Sequence, residues 1–271
     1  MSNNKSSYLL PFIGAEVRKL WALPILRLAV AISPVAMYLF VAEVYHVDKL
    51  PLHAPVRNLF DALPWVLFDA WKTLFLQMFI VCFAAYAASV ESQYGMIRLL
   101  CAQPMSRTEY VLGKGMAISI YVTALTLVFV GSALAWTAVY SGIREVTWSD
   151  LNHLALCTLA FVIFAQALGW TAYSLGLLRQ TIGESLITTF GFFVLLTFAG
   201  AFSPDRMKPY FLVRYMFFPW KYFPGLHSEL KSIAGLYASS TLLSLLLVAL
   251  TTSGLALAIG YGSFARRDIT E

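Results

Sequence analysis

Residues 110–140 read YVLGKGMAISIYVTALTLVFVGSALAWTAVY, an almost unbroken run of apolar and small residues. A helix needs about 20 predominantly apolar residues to cross the hydrocarbon core of a bilayer, which is roughly 30 Å thick. The stretch is therefore long enough to span a membrane. Its surplus length predicts a helix that tilts or projects into water.

The composition of the whole chain agrees with a membrane protein. Of its 271 residues 59% are hydrophobic and 12% charged, and the mean hydropathy is +0.72. An ordinary soluble domain has about 25% charged residues, so a soluble enzyme, a disordered chain and a small disulfide-stapled domain are excluded. The three cysteines are widely spaced and form no CxxC pair, which indicates neither a disulfide framework nor a metal site. The net charge of +5 is attributed to cytoplasmic loops and not to nucleic-acid binding.

Five other stretches are also long and apolar enough to span. They are residues 25–44, 66–90, 154–178, 182–202 and 236–261. The sequence thus predicts an all-α membrane protein with six transmembrane helices in a single domain, 1–271. An even number of spans puts both termini on one side, which we expect to be the cytoplasm. Lysine and arginine are almost evenly distributed between the two sides, and they favour this orientation only when segment 203–235 is set aside.

The start of the chain predicts an amphipathic helix over residues 8–23. Its apolar residues fall on one helical arc, and Glu16, Arg18 and Lys19 lie outside that arc. The pattern is typical of a helix that lies in the membrane interface, although a cytosolic extension of the first span fits it as well. Pro24 predicts a bend near the junction with that span.

Between the second and third spans lies the most informative polar segment, residues 89–114, which reads SVESQYGMIRLLCAQPMSRTEYVLGK. Glu91 ends a helix that leaves the membrane, and Gly95 permits a sharp turn. Residues 96–100 form a short amphipathic piece that Pro104 stops. The segment predicts a short helix held along the membrane surface, where it can transmit force from a soluble partner to two spans.

The start of the third span carries a helix cap and no nucleotide site. Ser106 followed three residues later by Glu109 is a capping box. A Walker motif needs a glycine four residues before Gly-Lys-Ser/Thr, but Gly113-Lys114 is followed by glycine and position 108 is Thr. No other catalytic motif is visible, so the chain is not expected to be an enzyme.

Segment 91–114 resembles the signature of ABC-2-type transporter permeases, which reads roughly E-x3-G-T-[IL]-R-x-L-x3-P-[VM]-[ST]-R with a following Gly-Lys. Met96 replaces the usual threonine. The ending Phe264-Ala265-Arg266-Arg267-Asp268-Ile269 is similar to the family's F-x-R-R-D-[LIV] close.

This resemblance implies a membrane subunit of a bacterial ABC exporter that docks two ATPase subunits and pairs with a second permease, identical or related. Residues 94–104 would be the coupling helix and residues 8–23 a connecting helix. ATP and magnesium would be bound by the partner ATPases, with no cofactor in this chain. The implied ATPase-coupling residues are Glu91, Tyr94, Gly95, Met96, Ile97, Arg98, Leu99, Pro104 and Arg107, and those of the connecting helix are Glu16, Arg18 and Lys19. Alternatively, Glu91 and Arg98 are simply solvated charges at the headgroup boundary.

Segment 203–235, between the fifth and sixth spans, is dense in aromatic residues and interrupted by prolines. Aromatic residues at this density belong at the headgroup level, and the segment predicts re-entrant or interfacial helices on the outer side. In the resembled family this region forms an external gate, here comprising Phe217, Phe218, Trp220, Tyr222 and Phe223. A simple aromatic membrane anchor fits equally well.

Inside the spans, Gln77 and Gln166 either line a pathway or bond across helices, and for each the second is favoured. Gly254, Ala258 and Gly262 form a small-residue stripe that predicts close helix packing, either within one subunit or between two. The function predicted is export of an amphipathic or hydrophobic substrate, such as a peptide, antibiotic or lipid, across the bacterial plasma membrane. An ion-coupled secondary transporter and a membrane scaffold for a soluble partner remain as alternatives.

Overall fold

The computed structural model describes residues 9–46, 62–63, 66–67, 70, 75–94, 106–141, 146–202, 210–212, 215 and 241–266. These ranges contain seven helices of fourteen residues or more, and no β-strand occurs in them. The helices are α1 Leu9–Ala22, α2 Pro24–His46, α3 Phe75–Gln93, α4 Arg107–Ser141, α5 Trp148–Gly176, α6 Ile182–Phe202 and α7 Leu242–Arg266. The all-α prediction is confirmed for the described part of the chain.

Helices α2 to α7 overlap the six predicted spans in order. Among the described helices, four are long and apolar enough to cross a membrane: α4, α5, α6 as far as Ala199, and α7. The bent pair α1 and α2 raises that number to five if it counts as one span. The described helices thus support a multi-pass membrane protein, while the six-span layout stays a prediction.

The predicted bend after the first helix is present. Helix α1 ends at Ala22 and α2 begins at Pro24, with Leu23 between them. The axes of Leu9–Ala22 and Leu26–Ala42 differ by 61°. Proline has no backbone N–H to donate and suits the first position of a helix, so α2 starts there as a new helix.

Helix α4 has the expected cap and the expected excess length. Ser106 precedes the helix, and its backbone N–H donates to the Glu109 carboxylate at 2.8 Å. The Glu109 N–H in turn donates to the Ser106 hydroxyl at 3.1 Å, which completes the capping box. At a rise of 1.5 Å per residue, the 35 residues of α4 make a rod of about 53 Å.

Helix α5 lies at the centre of the described bundle and contacts α3, α4, α6 and α7. Residues 171–177 at its end are all buried. Two glycines allow the close approach of its neighbours. A Cβ at Gly176 would lie 2.6 Å from the Ala88 Cβ of α3, and a Cβ at Gly260 of α7 would lie 2.1 Å from the Ser174 carbonyl oxygen.

The small-residue stripe on α7 does not make the close contact predicted for it within the described part of the subunit. A Cβ at Gly254 or Gly262 would meet nothing within 4 Å. Gly260, which the stripe omits, packs directly on α5. Packing of the stripe within one subunit is therefore not observed among the described residues, while packing between two subunits stays a prediction.

The two mid-span glutamines behave differently. The Gln166 amide donates to the Ser119 carbonyl at 2.8 Å and to the Thr123 hydroxyl at 2.7 Å, which confirms the predicted bonding across helices. The Gln77 side chain is buried, and neither its Nε2 nor its Oε1 has a hydrogen-bond partner in the described structure. For Gln77 the favoured prediction is wrong.

Candidate functional site

The Glu91 carboxylate, near the end of α3, is the centre of a buried charged cluster. The residue has 0% of its surface exposed. One carboxylate oxygen accepts from the Lys19 ammonium of α1, and the other accepts from the Tyr110 hydroxyl and the Lys114 ammonium of α4. A buried carboxylate is stable only when it is paired and hydrogen-bonded, and Glu91 meets both conditions. It therefore joins three helices at one point.

Helix α4 supplies two of these partners from adjacent turns. Lys114 follows Tyr110 by four residues, so both side chains lie on the same helix face. The Lys114 ammonium is 2.6 Å from the nearer Glu91 oxygen and 3.3 Å from the Tyr110 hydroxyl oxygen. It also lies 5.5 Å from the centre of the Tyr110 ring, within the range of a cation–π interaction. Lys114 is itself buried, so its charge depends on Glu91 for compensation.

Helix α1 closes the cluster with an acid and a base. The Lys19 ammonium bonds Glu91 and lies 3.5 Å from a carboxylate oxygen of Glu16. Glu16 is buried, whereas the Lys19 side chain is 42% exposed. The two carboxylates and two ammonium groups of Glu16, Lys19, Glu91 and Lys114 balance, so the cluster carries no formal net charge. Lys19 is the member through which it reaches solvent.

The first turn of α4 is also held by the last turns of α7. The Arg107 guanidinium donates to the Ala265 carbonyl at 2.5 Å. The Thr108 and Tyr261 hydroxyl oxygens are 2.8 Å apart, and the Tyr110 ring stacks on Phe264 at 5.8 Å. A basic side chain at the C-terminal end of a helix satisfies carbonyls that have no partner within the helix, which is the role of Arg107 here.

Two glycines bring the neighbouring helices against α4 on either side of Lys114. A Cβ at Gly113 would lie 2.5 Å from the ring of Phe12 in α1, and a Cβ at Gly115 would lie 2.3 Å from the ring of Trp170 in α5. Both positions are closer than any real Cβ contact allows. Gly113 and Gly115 thus allow α1 and α5 to pack closely against α4, while Lys114 between them pairs with Glu91 of α3.

The end of α3 makes a further connection to α6. The side-chain carbonyl of Gln93 accepts from the backbone N–H of Ile182 at 2.8 Å, at the first residue of α6. The Ser185 hydroxyl donates to the Ala85 carbonyl at 3.0 Å. These bonds and the Glu91 cluster place the last turns of α3 in contact with the ends of α1, α4 and α6.

One comparison with known proteins identifies the family. The model of the ABC-2 family transporter proteins matches residues 12–200, well over half of the chain. The chain belongs to the ABC-2 family. No curated protein matches it significantly. The protein is therefore an ABC transporter permease, a membrane subunit of a family that normally works with ABC ATPase partners and is not itself catalytic.

The sequence-predicted residues of this ABC-2 permease are only partly assembled in one place. Glu16, Lys19 and Glu91 meet in the cluster. Arg107, the first residue of α4, lies beside it and donates to the Ala265 carbonyl of α7. Arg18 is exposed and its Nε donates only to the Gly14 carbonyl of its own helix among the bonds described, at 3.2 Å. The following predicted residues lie outside the described ranges: Gly95, Met96, Ile97, Arg98, Leu99 and Pro104 of the coupling segment, and Phe217, Phe218, Trp220, Tyr222 and Phe223 of the aromatic segment.

Tyr94 and Glu91 illustrate two different environments at the end of α3. Tyr94 is 66% exposed, in the turn that leads into the predicted coupling segment. Glu91, one helical turn earlier, has no exposed surface, which contradicts the alternative of a solvated headgroup charge for this residue. The surroundings of the chain at the end of α3 therefore change from fully buried to largely exposed within one helical turn.

Neither Tyr110 nor Lys114 is predicted from the sequence to be a partner of Glu91. In the sequence, Lys114 stands out only as one of the cations expected on the cytoplasmic side and as the lysine of the Gly-Lys motif. The cost of a cation near an apolar span could have identified it, because such residues nearly always pair with another buried group. Tyr110 gave no such indication, since a tyrosine at a span boundary is ordinary.

Proposed function

We propose that this permease is the transmembrane subunit of an ATP-driven exporter of an amphipathic or hydrophobic substrate. It would cross a bacterial plasma membrane six times with both termini in the cytoplasm, and pair with a second permease subunit. Two ATPase subunits would bind ATP and magnesium and supply the energy. The ABC-2 family membership and the long apolar helices support the proposal.

The observation that carries the mechanism is the buried Glu91 cluster. Glu91 lies just before residues 94–104, the segment that would contact the ATPases. Helix α4, which carries Lys114, begins just after that segment. Separating a buried ion pair leaves an uncompensated charge, which costs about 3–5 kcal/mol. The ends of α1, α3 and α4 are therefore expected to move together when the coupling segment is pushed.

Helix α4 then carries this displacement through the membrane. Its length of about 53 Å exceeds the roughly 30 Å of the hydrocarbon core, so one continuous helix reaches from the cluster to the opposite side. It packs on α1, α2 and α5, which distributes the motion over the described bundle. Transport follows only if the two resulting states differ in affinity for the substrate. The aromatic segment, with Phe217 to Phe223, would act as the external gate.

The side of the membrane that holds the coupling segment can be tested with a native cysteine. Cys101 lies within residues 94–104, and the chain has only two others, Cys82 and Cys157. In a Cys82→Ala, Cys157→Ala background, a membrane-impermeant maleimide should label Cys101 in inside-out vesicles and not in right-side-out vesicles. Labelling from the outside alone would overturn the assignment of the segment to the cytoplasm.

ATPase binding is tested by co-purification with an ATPase encoded beside the permease. Arg98→Ala should reduce the amount of co-purified ATPase by tenfold or more, because Arg98 lies in the proposed contact. Arg179→Ala is the control, because it removes a charge from an exposed position between α5 and α6 that is not among the implied contact residues, and it should change the amount less than twofold. Retention of the ATPase and of transport by Arg98→Ala would contradict the coupling role. A complex that binds the ATPase but transports nothing would instead support the alternative of a membrane scaffold. Transport that is driven by an ion gradient without ATP would support the alternative of a secondary transporter.

A further inference from the structure

A cavity of about 300 Å³ lies between α3, α5 and α6, within the apolar part of the bundle. Its walls are almost entirely aliphatic and aromatic. Its lining residues include Gln77, Val81, Phe164, Leu168, Phe193 and Val194. The volume is at the lower end of the range of small-molecule sites, about 300–1,000 Å³. It is suited to one narrow ligand and not to a bulky one.

The described walls of this cavity contain one polar side chain without a partner. Gln77 is 5% exposed, and both its amide nitrogen and its amide oxygen are without a hydrogen-bond partner in the described structure. Thr197, the other polar residue in the described wall, already donates to the Phe193 carbonyl at 2.8 Å. Buried polar side-chain atoms are hydrogen-bonded in the large majority of cases, so Gln77 needs a specific explanation.

The lack of hydrogen-bond partners at Gln77 is not shared by Gln166, the other glutamine within a predicted span. Its amide donates to two groups of α4, the Ser119 carbonyl and the Thr123 hydroxyl. Leucine at position 77 would fill similar space without burying an amide. Gln77 lines the cavity, but its amide nitrogen and oxygen are themselves buried. A rotation of the side chain toward the cavity would offer a ligand one donor group and one acceptor.

The cavity opens on the outer apolar face of α6. Phe190, Val194 and Phe198 line it and are also partly exposed, with Val194 38% exposed. These three residues recur every four positions, so they form one edge of the helix. In a membrane-spanning α6 this edge borders the hydrocarbon region. A ligand can therefore enter sideways from the bilayer.

We propose that this cavity binds the alkyl chain of an amphiphile whose amide or hydroxyl group pairs with the Gln77 amide. The apolar walls hold the chain, and Gln77 selects a polar group that can both donate and accept a hydrogen bond. A resident membrane lipid and an amphipathic cargo share this chemistry. The cargo assignment rests on the proposed function, whereas the binding site itself does not.

The test uses the purified full-length permease in phosphatidylcholine nanodiscs, without ATPase. The probe is dodecanamide with a photoactivatable diazirine on its chain, and mass spectrometry locates the adducts. Labelling should saturate and fall on segments of α3, α5 and α6. Unlabelled dodecanamide should compete at least tenfold better than dodecane, and Gln77→Leu should remove most of that preference. Labelling that is non-saturable and spread over all exposed helices would overturn the proposal.

Two neighbouring substitutions on α6 separate the cavity from general lipid contact. Val194→Trp places a bulky ring at the mouth, whereas Leu195 is 69% exposed and does not line the cavity. Both side chains are more than a third exposed, so neither variant replaces a fully buried residue. Val194→Trp should reduce saturable labelling about tenfold, and Leu195→Trp less than twofold. Equal effects of the two variants would refute the site.

Mass spectrometry of co-purified lipids distinguishes the two sources of the ligand. A lipid retained by the unmodified permease and lost from Val194→Trp would support the site as that of a resident lipid. Saturable probe labelling with no such lipid would support it as a site for an amphiphile acquired from elsewhere. The failure of these assays would leave the ATPase-coupling proposal untouched, since no ATPase is present.

Discussion

The Glu91 cluster provides the most direct test of the arrangement at the end of α3. Replacing Glu91 by Gln preserves the shape of the side chain but removes its charge. The remaining members, Glu16, Lys19 and Lys114, then carry a net charge of +1, and the buried Lys114 ammonium loses its counter-ion. Breaking a buried ion pair in this way costs about 3–5 kcal/mol. For a chain of this size that corresponds to a melting temperature lower by roughly 6–20 °C.

The assay is thermal unfolding of the purified permease in one detergent, followed by tryptophan fluorescence. Arg18→Gln is the matched control, because it removes one charge from an exposed position on α1 and should change stability by less than about 0.5 kcal/mol. Lys114→Met alone should destabilise by an amount similar to Glu91→Gln, since it leaves the buried carboxylate with one ammonium fewer.

A double-mutant cycle decides whether the two charges act on each other. The Glu91→Gln, Lys114→Met double variant should be more stable than the sum of the single effects predicts, by about 0.5–3 kcal/mol. If the single variants melt within 2 °C of Arg18→Gln, or if the two effects simply add, the buried pair does not hold α3 and α4 together.

Three other perturbations test helix packing by the same melting assay. Gly113→Val forces a Cβ into the aromatic ring of Phe12 in α1 and should lower the free energy of unfolding by about 1–3 kcal/mol. Gly14→Ala, with open space around it, should be neutral or stabilising, and equal effects of the two variants would contradict the close contact. Gly260→Ala should destabilise because its Cβ would meet the backbone of α5 at 2.1 Å, and Gly254→Ala on the same helix should not; a neutral Gly260→Ala would refute the approach. Gln166→Leu should cost about 0.6–1.7 kcal/mol by removing bonds to α4, and no loss would show that these bonds are not stabilising.

Local sequence patterns predicted local structure well. Pro24 predicted the break between α1 and α2 because proline has no N–H to donate. Ser106 and Glu109 predicted the start of α4 because both partners of the capping box are three residues apart in the chain. Hydropathy located α2 to α7 since the required span length is fixed by bilayer thickness. Each of these depends on a short stretch of sequence.

The parts that sequence did not predict depend on contacts between distant residues. Glu91 could be placed at a helix end, but its complete burial required the positions of α1 and α4. Gln77 and Gln166 are indistinguishable by composition, and only the packing around each shows which one is bonded. Gly260 is the glycine of α7 that packs on α5, because α5 crosses α7 at that level. The residue spacing within α7 carries no information about where α5 crosses it.

The central position of α5 has a consequence for how the permease is made. A chain emerging from the ribosome has already supplied α3 and α4 when α5 is inserted, whereas α7 is still untranslated. The Glu91–Lys114 pair can therefore form early in biogenesis, but the Arg107–Ala265 contact must wait for the arrival of α7. Until then the surface of α5 around Ser174 lacks the helix that covers it, so translation order makes α7 docking a late step of assembly.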